Sequence, residues 1–102
     1  MGMYVVVTAA AKMPSSVRAP YRRVAVVELN QHYTSHNLRP AMISHRARGV
    51  VRVVRTWERL HARGSNTAYA RALKEAEALA WQLCNVRDMA TAEDIIGAGG
   101  SA

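Results

Sequence analysis

Ile43, Ala47, Val50, Val54, Trp57 and His61 recur at steps of 4, 3, 4, 3 and 4, and this spacing constrains the fold more than any other feature of the chain. It is the period of an α-helix. At about 100° per residue these side chains share one stripe, which Val53 and Leu60 widen. Arg48, Arg52, Arg55, Arg59 and Arg63 step by 4, 3, 4 and 4. On the same helix they fall on the opposite side, within roughly 80° of arc. Pro40 suits a first helical position, and Gly64 suits a C-cap. The spacing predicts a long amphipathic helix over 40–63. The competing reading is a short helix over 40–48 followed by a third strand over 50–60. Gly49 costs a helix interior about 1 kcal/mol, and Val50, Val51, Val53 and Val54 are strand formers. A regular strand would scatter the arginines over both faces, so the helix is preferred.

The flanking segments are simpler. Met3 to Ala11 is β-branched and small and reads as a strand. Lys12 to Ser16 carries loop residues. Tyr21 to Leu29 reads as a second strand, with Arg23, Ala25, Val27 and Leu29 on one face and Arg22, Val24, Val26 and Glu28 on the other. Asn30 to Arg39 is polar and reads as a loop. Ser65, Asn66 and Thr67 are N-cap candidates. From there to Asn85, Tyr69, Leu73, Ala76, Ala80 and Leu83 keep the helical step, with no Gly or Pro to interrupt it. Thr91 is placed to cap a last turn, Ala92 to Ile96. The expected fold is α+β: an antiparallel β-hairpin, with a third strand as the alternative, packed against two amphipathic helices. Residues 1–96 form a single domain and 97–102 a disordered Gly-rich tail. A lone hairpin is marginal in water, and its edges suit a homodimer.

Charge narrows the function. The net charge is +7. Residues 39–63 hold seven arginines against Glu58 alone, whereas residues 64–102 are net negative. A basic block of that kind suits an anionic partner. Arg48, Arg52, Arg55, Arg59 and Arg63 along a helix can follow phosphates, releasing a counterion at each, or meet a row of carboxylates on another protein. Trp81 lies roughly 120° from Tyr69 on its helix. It is either a flanking core residue or an exposed aromatic that stacks on a base or anchors an interface. Trp57, His61 and Cys84 read as core.

Other chemistry finds little support. The sequence has no G-x-S-x-G, P-loop, H-E-x-x-H or G-x-G-x-x-G. His32 and His36 have the i,i+4 spacing of a helical metal pair, but their segment is not helical in pattern. With His45 and Cys84 they do not compose a zinc signature. No enzyme activity, cofactor or metal is expected. A small ribonuclease built on His32, Tyr33 and His36 beside the basic segment is the catalytic alternative. Cys84 is the only cysteine, so no intrachain disulfide can form. No apolar run approaches the roughly 20 residues that span a bilayer, and the apolar N-terminus lacks a basic n-region. A cytoplasmic protein without a membrane partner is expected.

In size, in its lone cysteine and in its lack of catalytic motifs the chain resembles small accessory proteins of phages, plasmids and integrons, anti-CRISPR inhibitors among them. The resemblance is one of type and assigns no site residue. It implies a protein that binds or inhibits a host complex. The basic stretch 39–63 departs from the acidic nucleic-acid mimics common among such inhibitors. The residues themselves favour a non-enzymatic binding module for an anionic partner, nucleic acid first and an acidic protein surface second.

Overall fold

β-Branched residues set the first two elements. A computed structural model describes residues 3–11, 21–30 and 49–99. In it β1 (Met3–Ala10) and β2 (Tyr21–Leu29) pair antiparallel, from Met3 opposite Leu29 to Ala10 opposite Arg22, with no break in register. β2 is the central strand, and Val24 to Leu29 are buried without interruption. Its alternation feeds two cores. Val24 and Val26 join Tyr4 beneath a helix, whereas Ala25, Val27 and Leu29 join Val7 on the other face. Val24, Val26 and Val27 are fully buried. Each such valine contributes about 1.5–3 kcal/mol by leaving water.

The third element is a strand. β3 (Val50–His61) pairs antiparallel with β2 and completes a three-stranded sheet of order β1-β2-β3. The helix expected over 40–63 is therefore corrected across 50–61; residues 40–48 lie outside the described part. Two forces decide it. Gly49 takes φ 92, a left-handed conformation that suits glycine and does not continue a helix. The β-branched valines then favour the extended backbone, whose hydrogen bonds β2 satisfies. β3 has 12 residues against the 9 of β2. Register shifts between Arg22 and Val24, Val26 and Val27, and Glu28 and Leu29 absorb the difference. Each is a bulge that inserts one residue and reverses which face the next side chain takes.

Thr67 begins the next element as the sequence suggests. Its Oγ1 accepts the Ala70 N–H at 3.1 Å, capping α1 (Ala68–Cys84). Asn85 closes it, its amide donating to the Trp81 carbonyl at 2.7 Å. The buried face of α1 is Ala72, Ala76, Ala80 and Leu83. Three alanines bring the helix backbone close to the valines of the sheet. Gly64, expected as a helix C-cap, instead takes φ 80 in the turn that leaves β3.

α2 (Met89–Gly99) starts earlier than expected, because Asp88 caps it rather than Thr91. Asp88 accepts the Thr91 N–H at 3.1 Å and the Thr91 hydroxyl at 2.7 Å. The Thr91 hydroxyl, then its amide, hold the Asp88 carboxyl below the usual range. Ala92 is buried against the first core, with Ile95 and Ile96 half-buried beside it. The helix runs to Gly99, and residues 100–102 of the expected tail lie outside the described part.

Candidate functional site

The extended conformation of β3 abolishes the arginine ridge of a helix. Bulges redistribute its members. Arg52, Arg55, Trp57 and Leu60 pair with Glu28, Val26, Val24 and Arg22, all on the helix-covered face of β2. Val50, Val53, Thr56 and His61 pair on the far face. Glu58 and Arg59 both stand opposite Arg23, and Arg59 takes φ 51 to make room. That bulge lets Glu58 approach Arg23, at 3.9 Å.

Arg52 is consumed by the fold. Its Nε donates to Glu28 at 2.8 Å, and its two terminal nitrogens fork onto Glu93 of α2 at 3.1 and 2.6 Å. Glu28 is 5 % exposed, so the guanidinium supplies the partner that a buried carboxylate requires. The hydrogen bonds from Arg52, followed by its charge, draw the Glu93 carboxyl below its ordinary value. Burial pushes the neighbouring Tyr4 phenol up, against the pull of Arg52. Arg52 thus joins β2, β3 and α2 and is withdrawn from any docking surface.

The remaining cations gather at the other end of β3. The Arg55 guanidinium lies 4.8 Å from the centre of the Trp57 ring. Trp57 donates its indole N–H to Glu75 of α1 at 3.0 Å. Arg22, at the start of β2, lies 5.6 Å from the centre of the Tyr69 ring on α1. Beside the Trp57 ring opens a cleft of about 170 Å³ lined by Trp57, Leu60, Ala68, Arg71, Ala72 and Glu75. Arg71 and the Trp57 ring line it with the Glu75 carboxylate, and Arg55 adjoins it through its stack on Trp57. Arg22, Arg55 and Arg71 form no ion pair among the described residues. A guanidinium on an aromatic face keeps its outward N–H groups free for phosphate or carboxylate.

Of the residues expected to bind, none lines this cleft; Arg55 adjoins it by stacking on Trp57, and Arg52 is turned to Glu28 and Glu93. Arg59 and Arg63 are exposed near the end of β3 and make no ion pair among the described residues. Arg48 lies outside the described residues, as do His32, Tyr33, His36 and His45. Trp81 is 70 % exposed, which removes its core reading. His61 and Cys84, expected as core, are exposed: His61 meets Tyr21 edge to face, and the Cys84 thiol donates to the Tyr4 carbonyl at 3.5 Å. Trp57 is half-buried, at the core margin. Arg22, Tyr69, Arg71 and Glu75 were missed. Their signal was the shared helix-facing parity of Arg22 and Val24, with Tyr69 and Arg71 one turn into the next helix. Among the described residues no three His, Cys, Asp or Glu side chains cluster as a metal site, and no helix is long and apolar enough to cross a membrane.

Comparison with protein-family models, with curated proteins and with solved structures finds no match. The chemistry of the cleft must carry the functional argument alone.

Proposed function

We propose that the protein is a non-enzymatic binding module for nucleic acid, and that the cleft between the end of β3 and the first turns of α1 is its docking site. One observation carries this reading: Arg71 and the Trp57 ring line the cleft, Arg55 stacks on that same ring, Arg22 stacks on Tyr69 at the start of α1, and these three arginines have no ion pair among the described residues. Cations that track phosphates, interleaved with faces on which bases stack, are what a single strand of nucleic acid requires. Arg59 and Arg63 extend the basic surface along the strand end. Glu75 opposes phosphate but is engaged by the Trp57 indole, and its free oxygen suits a base amino group.

Fluorescence anisotropy with labelled single-stranded DNA and RNA, read at low and rising salt, tests the proposal. Binding should weaken steeply with salt, and Arg55→Ala or Arg71→Ala should each reduce affinity without altering the thermal transition. Absence of binding to either polymer at low salt would overturn it.

A further inference from the structure

The cleft between β3 and α1 holds one donor fork and one carboxylate that do not satisfy each other. Arg71 and Glu75 both line it from α1, one helical turn apart. Neighbours at this spacing often pair, although Arg before Glu is the weaker order. Here they form no ion pair. The Trp57 indole N–H, donating at 3.0 Å, turns Glu75 toward β3 instead. Among the described residues no hydrogen bond engages the Glu75 Oε1 or the Arg71 guanidinium. A carboxylate offers about four lone-pair sites, and the indole takes one of them.

The rest of the lining is apolar. Leu60, Ala68 and Ala72 supply hydrocarbon, which with the Trp57 ring suits the flat faces of an aromatic ligand. At about 170 Å³ the cleft is smaller than the roughly 300–1,000 Å³ of pockets that enclose whole drug-sized ligands. It has room for one ring system, and the remainder of the ligand stays outside.

We infer, resting on the nucleic-acid reading of this surface, that the cleft selects a single unpaired guanine. Unpaired bases are read on both their Watson–Crick and Hoogsteen edges. Guanine presents two adjacent donors, N1–H and the N2 amino group, to a carboxylate. Its O6 and N7 form the acceptor pair that an Arg fork takes bidentate. A carboxylate and a guanidinium on one wall match both edges. Adenine and cytosine each offer Glu75 a single amino group. Thymine and uracil offer one N–H between two carbonyls, which a carboxylate repels.

Fluorescence anisotropy of the full chain at one low salt concentration tests this, with labelled oligothymidines whose central base is thymine, guanine, adenine or cytosine. Guanine should tighten binding about tenfold over thymine, the order of one good bidentate base contact, and by more than adenine or cytosine. Glu75→Gln keeps an oxygen for the Trp57 indole and should remain folded by circular dichroism. It should erase the guanine preference while raising affinity for the all-thymine strand, because a negative charge leaves the basic surface. A merely structural Glu75 would weaken both strands alike. Equal binding of all strands, or tighter binding of adenine or cytosine, overturns the guanine assignment and leaves the nucleic-acid reading standing. A guanine preference that survives Glu75→Gln overturns the assignment as well. Binding to none of the strands overturns both.

Discussion

Arg52 on β3 holds the buried Glu28 carboxylate of β2 through its Nε at 2.8 Å, and its remaining nitrogens grip Glu93 of α2. One guanidinium thereby joins two strands and the last helix. Arg52→Met strands Glu28 in the core. Removing one partner of such a pair costs about 3–5 kcal/mol, and the one-third exposure of Arg52 puts this case at the lower end. Urea denaturation should show the loss. The double variant Arg52→Met with Glu28→Gln should recover most of it, since no buried charge is then left alone.

The Glu93 arm of the network is acid-labile. Hydrogen bonding to Arg52 depresses the folded-state value of this carboxyl below its unfolded one. Its contribution is therefore present above the ordinary glutamate value, about 4.3, and is lost as pH falls through the lower folded value. Hydrogen exchange of α2 amides should accelerate in that acid window before the β2 amides respond. Glu93→Gln should accelerate it at neutral pH and flatten the acid dependence.

The helix–sheet contact depends on small side chains. Ala76 has no solvent exposure and packs in the core that contains Val24 and Val26. Ala76→Leu must push α1 off the sheet and should destabilise by about 1–3 kcal/mol. Ala76→Gly should cost about 1 kcal/mol through helix propensity. Thermal unfolding of both variants checks the order.

Much of this architecture is legible in the sequence. The β-branched runs give β1 and β2, with the two faces of β2 correctly divided. Thr67 and the alanine-rich repeat give α1. The failure falls on β3, for a physical reason. A regular strand repeats every two residues, whereas two of the bulges stretch the spacing on its helix-covered face to Arg52, Arg55, Trp57 and Leu60. The two steps of three imitate the helical period. The apolar stripe that suggested a helix is divided by the sheet, with Trp57 on one face and Val50 and His61 on the other. The valines carried the true signal. The cleft was hidden because Arg22, Trp57, Tyr69 and Arg71 meet only once β2, β3 and α1 are assembled. Their spacing along the chain reports none of this.

Arg59 marks a strained bulge. A non-glycine residue at φ 51 is uncommon, and glycine relieves the steric conflict. Arg59→Gly should raise stability by about 0.5–1 kcal/mol, offset in part by the greater freedom of the unfolded chain. Arg59→Ala keeps the Cβ and should not. Chemical denaturation of the pair separates backbone strain from loss of the charge, because both variants remove the same guanidinium.

Salt dependence identifies which arginines meet the phosphates. Each neutralised phosphate adds about 0.7 to the logarithmic salt slope on a single strand. Arg55→Ala and Arg71→Ala should each lower that slope by roughly one contact, and the double variant by two. Arg52→Met, combined with Glu28→Gln to keep the core neutral, should leave the slope unchanged, since Arg52 is already held by two carboxylates of its own chain. Anisotropy titrations at several salt concentrations compare the four variants with the wild type. Equal slopes for wild type and the Arg55 and Arg71 variants, with a lower slope for the Arg52 variant, would move the interface from the cleft back to the central part of β3.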